Sequence, residues 1–400
     1  MKGMSVTDQR LSFIKAIKTD GLSMSAACRS FNISRPTGYE ILRRFDEQGV
    51  EGLSDLSRAP KSNSKAVSAW VIEQILLYKG VRPSWGPKKL RASLLALYPD
   101  IDWPATSTFG RILDAAGLVQ KVRRRGRPPR FGELTQAYDS NDVWCMDFKG
   151  QFILTEILQC FPLTITDNDS RYLLRCYGLS DTKGSQAWPI IVGAFREFGM
   201  PKVFRTDNGN PFASVSATGL SRIAVSLIKL GIIPERTDPG CPQQNGRHER
   251  MHRTLKAEAI YPPSSTMKAQ QARFDAWRNE YNEERPHEAL GMATPSSVYA
   301  ASPRPFPERM PEFEYPSSMN TRKVRQNGCI KWRGADIFVS ETLINEIVGI
   351  EQIENRYCAV YVGFLPTAVI DLPTNKILNG KDATPHLKPL REKLAPAPCE

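Results

Sequence analysis

Four hundred residues exceed one ordinary domain, and 41% hydrophobic with 24% charged residues is the composition of a folded chain, which excludes a fibrous or wholly disordered protein. The formal net charge of +12 is unevenly placed: residues 1–130 carry 23 Lys plus Arg against 11 Asp plus Glu, and residues 131–400 carry 31 of each. Positive charge concentrated at the front suits a polyanionic partner, and the lack of any apolar run of spanning length or signal core leads us to expect a soluble, cytoplasmic protein with no membrane contact.

The first 58 residues read as a helix-turn-helix domain. Leu11, Ile14 and Ile17 follow helical spacing, and Leu22, Ala26, Ala27 and Phe31 continue on a second amphipathic piece. After Asn32-Ile33-Ser34 a third helix is predicted, with Ser34 as N-cap, Pro36 in its first turn and Ile41, Leu42 and Phe45 as its buried stripe. Such a helix enters the major groove N-terminus first, so Arg35, Thr37, Tyr39 and Arg43 are candidates to touch bases or phosphates. A small helical bundle with a solvated basic face fits the same residues.

Residues 51–64 are polar and bear Pro and Gly, which marks a linker. A second helical unit over 64–120 starts with Val67, Val71, Ile75 and Leu76, is interrupted at Ser84-Trp85-Gly86-Pro87, and ends on a helix containing Phe109, Ile112 and Leu113. Read as a second helix-turn-helix, its recognition helix is headed by Ser107, Thr108 and Arg111. A basic linker over 121–136 follows, where Arg123, Arg124, Arg125, Arg127 and Arg130 are placed to lie along a phosphate backbone or in a minor groove.

From Asp142 the pattern becomes strand-like. Runs at 143–152, 161–166 and 172–179 precede a helix from about 183 to 198, a strand at Val203-Phe204, a helix over 219–230, a short strand at 232–233 and a helix opened by Asp238-Pro239-Gly240. This is a mixed α/β region. Val143, Cys145 and Asp147 alternate onto one strand face. Asp147 on a strand, Asp207 at a strand exit and Glu249 on a helix form a layout for holding a hard cation at an open position. The plainer readings are a strand-edge acid, an Asp-Asn-Gly turn and an exposed helical glutamate.

A charged helix over 267–285, with Ala272, Phe274, Trp277 and Tyr281 on one side, is expected to pack on this core. A Pro-rich linker covers 303–316. Short β runs between 322 and 371 then predict a small β-barrel over 317–375, and the remainder to 400 reads as an irregular tail.

Three stretches carry a resemblance: Trp144-Cys145-Met146-Asp147-Phe148-Lys149-Gly150; Arg205-Thr206-Asp207-Asn208-Gly209-Asn210-Pro211-Phe212; and Pro239-Gly240-Cys241-Pro242-Gln243-Gln244-Asn245-Gly246-Arg247-His248-Glu249-Arg250. With Tyr281-Asn282-Glu283-Glu284-Arg285-Pro286-His287 and Thr294-Pro295, they resemble the bacterial insertion-sequence transposases of the DDE, retroviral-integrase-like superfamily. The resemblance covers about residues 5–300 and implies a ribonuclease H-like catalytic core over 137–302. It implies that Asp147, Asp207 and Glu249 are both the catalytic and the metal-binding triad, at intervals of 60 and 42 residues. The second interval is somewhat long, with the extra residues near 214–221, and Cys145 stands where the family often has His.

Strand transfer needs in-line attack on a phosphodiester, and two divalent ions roughly 3.5–4 Å apart stabilise the attacking and leaving oxygens. Mg²⁺ is therefore the expected metal, with Mn²⁺ as a substitute. Asn208, Asn245 and His248 are expected beside the acids or facing DNA; Arg247, Arg250, His252, Arg253 and Lys256 lie on the Glu249 helix, where His252, Arg253 and Lys256 can share the face of Glu249 and present cations to a DNA end. The implied function is a transposase that binds the terminal inverted repeats of its element in double-stranded DNA as a homo-oligomer, in a bacterial cytoplasm and associated with the nucleoid. A silent DNA-binding regulator and a metal-dependent nuclease without strand transfer are the alternatives.

Overall fold

A computed structural model describes residues 5–56, 66–119, 134–209, 211–212, 218–238 and 241–393. The chain divides into two compact units, residues 1–67 and 68–400. In the first, α1 (Val6–Lys18), α2 (Met24–Ser30) and α3 (Arg35–Gln48) are each opened by a serine: Ser5, Ser23 and Ser34 accept a backbone N–H three residues on. Phe13, Ile14, Ala27, Cys28, Ile41 and Leu53 form the core.

Gly38 lets α3 lie against its neighbours. A Cβ there would sit 2.6 Å from Cys28 Sγ and 3.0 Å from Met24 Sδ and the Phe13 ring. Gly38→Ala is expected to cost about 1–3 kcal/mol through overpacking, read as a lower urea midpoint for the first unit's transition.

The second unit begins with α4 (Ala69–Val81), α5 (Pro87–Leu97) and α6 (Thr106–Ala115), which touch one another. Its sheet contains β1 (Val143–Phe148), β2 (Phe152–Ile153), β3 (Gln159–Asp167), β4 (Leu173–Leu179), β5 (Val203–Thr206) and β6 (Ile233–Arg236). β3 runs antiparallel to β1, β2 and β4, and β1, β5 and β6 are parallel. Around it lie α7 (Gly184–Phe198), α8 (Arg222–Lys229), α9 (Gly246–Leu255) with a π-helical turn over Lys256–Ile260, α10 (Met267–Glu283) and α11 (Pro295–Val298).

Alternation along β1 separates Trp144 and Met146 from Val143 and Cys145, which pack with Val203. Trp144 and Met146 join Ile191, Phe195 and Leu227 of α7 and α8 in one core. A second core, on α9 and α10, collects Met251, Leu255, Phe274, Trp277 and Tyr281 with Phe152, Cys160 and Cys176. The result is the expected α/β core, with one boundary corrected. Asp238 does not open the Glu249 helix; a 3-10 turn over Pro242–Asn245 comes first, and the α-helix starts at Gly246.

The first helices of this unit are fastened to α10 and its surroundings. Arg82 pairs with Glu280 at 2.7 Å and with Glu284, Ser84 donates to Glu258, and Arg285 lies over the Trp85 ring at 5.7 Å.

The expected barrel does not close. Strands β7 (Asn320–Lys323), β8 (Cys329–Trp332), β9 (Ala335–Phe338), β10 (Ile347–Gln352), β11 (Tyr357–Val362), β12 (Leu365–Asp371) and β13 (Lys376–Ile377) form an open sheet in the order β13-β12-β11-β10-β7 and a separate β8-β9 hairpin. Closure is unnecessary because α8 covers the apolar interior: Leu220, Ala224, Val225 and Ile228 pack with Val324, Ile330, Val348, Ile350 and Val360.

The expected irregular tail is also corrected. Beyond β13, α12 (Gly380–Glu392) is capped by Asn379 and packs Ala383 and Leu387 against Val369. Its start signal, Asn379 with Asp382, is masked in the sequence by Pro385 and Pro389. Among the described residues every cysteine is a free thiol, and no helix is long and apolar enough to cross a membrane.

Candidate active site

Each acid reaches the site from a different element. β1 carries Asp147 into register with Thr164 on β3, β5 ends at Thr206 so that Asp207 follows, and α9 carries Glu249 on an exposed face. Burial pushes the Asp147 carboxyl up to about 7; Asp207 and then Glu249 add to the rise, against a backbone hydrogen bond from Phe148 and the charge of Lys149. Asp207 and Glu249 thus lie near enough for their charge to be felt at Asp147. Asp207 accepts the Gly209 N–H at 3.0 Å, and Asn245 Nδ2 stands 3.5 Å from Asp147 Oδ2.

Beneath Asp147 lies a polar network that the sequence reading missed. The Thr164 hydroxyl donates to the Asp147 carbonyl at 3.1 Å and lies 2.7 Å from Nε2 of both His248 and His252. Thr166 Oγ1 is 3.0 Å from His248 Nδ1, and His252 Nδ1 is 3.7 Å from Asp147 Oδ2. Burial holds both rings neutral, His248 at about 3 and His252 at about 2. Asp147, His248 and His252 bring possible ligand atoms within 4.8 Å of one another.

This corrects two expectations. His248 is 2% exposed and faces β3, so it is not a DNA contact, and His252 is turned inward from the face of Glu249, Arg253 and Lys256, which is exposed. The signal was present: His248, Met251, His252 and Leu255 follow the i, i+3, i+4, i+7 period of a buried stripe.

The remaining candidates divide by environment. Arg35, Thr37 and Tyr39 are exposed at the start of α3, with Thr37 Oγ1 2.8 Å from Ser34 Oγ. Arg43 departs from expectation, because Glu40 and Glu47 hold its guanidinium at 2.7 and 2.8 Å and raise its pKa. Ser107 and Arg111 are exposed on α6, where Arg111 donates to the half-buried Thr108 at 3.3 Å. Asn208 is anchored on the Thr237 carbonyl, and Arg247 donates to the Asn168 carbonyl at 2.9 Å. Arg123, Arg124, Arg125, Arg127 and Arg130 lie outside the described residues.

The raised and lowered pKa values have opposite consequences. Asp147 binds its proton more tightly folded than unfolded, so its contribution to stability is present at about pH 4 and lost as pH rises to about 7. The buried histidines contribute above about pH 6.5 and lose that contribution as pH falls through the range where the unfolded rings gain protons. Comparing wild type with Asp147→Asn in EDTA isolates the carboxyl. Between pH 4 and 7 their difference in urea-unfolding free energy is expected to move against the wild type by up to about 4 kcal/mol.

The Integrase core domain family matches residues 230–295 and the Helix-turn-helix domain family matches residues 9–61. The uncharacterized 39.2 kDa protein of insertion element IS476 from Xanthomonas euvesicatoria is 26% identical over 246 residues, covering 60% of this chain and 66% of that protein. The chain thus spans about two thirds of that relative's length. Transposase InsD for insertion element IS2-9 from Escherichia coli K12 is 26% identical over 305 residues, covering 72% of this chain and 93% of that protein. Among solved structures, the simian T-cell lymphotropic virus intasome in complex with PP2A regulatory subunit B56 gamma aligns over 74% of this chain and 96% of its own, at 16% identity and a TM-score of 0.36.

Proposed function

We propose that the chain is an integrase-core transposase of the kind bacterial insertion elements carry, and that it binds the terminal inverted repeats of its element and cuts and joins DNA strands there. The observation that carries this reading is the Asp147 carboxyl, buried and raised further by Asp207 and Glu249. Acids gathered in one place repel unless something positive joins them, and carboxylate oxygens are the donor set of hard divalent cations. Asp147, Asp207 and Glu249 would hold Mg²⁺, or Mn²⁺ in its place, which when bound offsets charge on the attacking and leaving oxygens.

The chain's own residues divide the remaining tasks. Arg253 and Lys256 share the exposed side of α9 with Glu249, a position from which cations meet a phosphate backbone. Asn208 and Asn245 flank the acids. Residues 1–58 and 64–120 would read the repeat through the N-termini of α3 and α6, and the basic stretch of 121–136 would follow the backbone between them and the 137–302 core. Two DNA ends must meet, so the working form is a homo-oligomer on DNA.

The test is a strand-transfer assay with Mg²⁺, using DNA ends from the element that flanks the gene. Joined products that disappear in Asp207→Asn and Glu249→Gln, with end binding retained, are the expected result. Wild-type binding without joining would favour a silent regulator, and cutting without joining a nuclease.

A further inference from the structure

Two histidines lie under the acid cluster, and their hydrogen bonds distinguish them. His248 has a hydroxyl at each ring nitrogen, Thr164 at 2.7 Å and Thr166 at 3.0 Å. His252 has Thr164 at Nε2, 2.7 Å away, while its Nδ1 faces Asp147 Oδ2 across 3.7 Å. That gap is longer than an N–H···O hydrogen bond.

The hydroxyl of Thr164 bears on which tautomer His252 adopts. It has one proton, and with that proton on the Asp147 carbonyl at 3.1 Å its two lone pairs take the Nε2–H of both rings. His248 Nδ1 then accepts from Thr166. His252, with its proton on Nε2, turns a lone pair from Nδ1 toward the Asp147 carboxylate. Two acceptors facing each other are stabilised by a cation between them.

We propose that His252 Nδ1 is a ligand, beside Asp147, of the divalent cation in this site. The inference rests on the reading of Asp147 as a cation-binding carboxylate. Thr164 and His248 act as positioning residues, holding the ring so that its free nitrogen points at the acid. An imidazole ligand turns an otherwise all-oxygen site toward Mn²⁺ relative to Mg²⁺, since magnesium favours oxygen donors.

The experiment uses the full-length chain with Mn²⁺ alone. Pulsed electron paramagnetic resonance of bound Mn²⁺ is expected to show ¹⁴N modulation from a coordinated imidazole, replaced by the ¹⁵N pattern when the protein is made with ¹⁵N-histidine. His252→Gln is expected to lose the modulation and weaken Mn²⁺ binding at least about tenfold. Mn²⁺ that binds through Asp147, shown by its loss in Asp147→Asn, but without nitrogen modulation would overturn the His252 assignment and leave the acid reading intact. Mn²⁺ affinity unchanged in Asp147→Asn would remove both. Should His252→Gln fail to fold by circular dichroism, the labelled wild type still tests the assignment, since bound Mn²⁺ without nitrogen modulation overturns it, and His248→Gln retaining the modulation supports it.

Discussion

Asp207→Asn and Glu249→Gln are expected to lower strand joining by about 10³-fold or more while leaving the affinity for DNA ends within about twofold of wild type. Each substitution keeps the shape of the side chain and removes its charge. The effect is large because the acids are asked to hold a cation against a transition state whose charge sits on two oxygens, and an amide retains little of that attraction. A stability measurement separates this from simple damage. Burial does most to raise the Asp147 carboxyl, and Asp207 and Glu249 add to it, so removing either charge relieves Asp147 when no cation is present. In EDTA both variants should therefore melt at or above the wild-type temperature, and a variant that is inactive and also melts several degrees lower would point to a structural role instead.

The second large effect concerns the stretch between the helical units and the core. Removing Arg123, Arg124 and Arg125 is expected to weaken binding to any duplex and to reduce the slope of log K against log salt by up to about 3, near 0.9 for each phosphate contact. Phosphates carry no sequence information, so cognate and unrelated DNA should lose affinity alike. Fluorescence anisotropy between 50 and 200 mM salt measures both slopes; an effect confined to the cognate repeat would sink the idea of a phosphate arm.

The three acids could be picked out as candidates because they sit in locally decisive surroundings. Asp147 lies on a strand whose alternation is plain, and Asp207 and Glu249 each follow short polar motifs at element boundaries. What could not be read was direction and partnership. The histidines of α9 lie among Arg247, Glu249, Arg250 and Arg253, and polarity alone assigns them to the outside; only contact with β3 shows that two threonines supply the polar partners that make burial tolerable. Arg43 looked available because its charge was counted without Glu40 and Glu47, one turn away on either side. α12 was hidden by prolines that argue locally against a helix, and the barrel was overcounted because strand signals do not say whether the last edges meet or a helix lies across the opening.

That helix has two buried sides. Ile223 and Leu227 of α8 belong to the core that surrounds β1 and β5, while Ala224, Val225 and Ile228 belong to the core of the C-terminal sheet, with Lys229 paired to Glu346 at 2.7 Å and the Thr342 hydroxyl donating to the Leu220 carbonyl at 3.0 Å. The proline-rich stretch of 303–316, expected as a linker, is docked as well: Arg304 donates to the Pro201 and Leu230 carbonyls at 2.8 and 3.1 Å, Phe306 packs on the first core and Phe313 on the second. A chain cut at residue 302 would not be a minimal catalytic fragment but one with an uncovered apolar helix face, prone to self-association, and anything the C-terminal sheet grips is held at a constant offset from the strand that leads into Asp207.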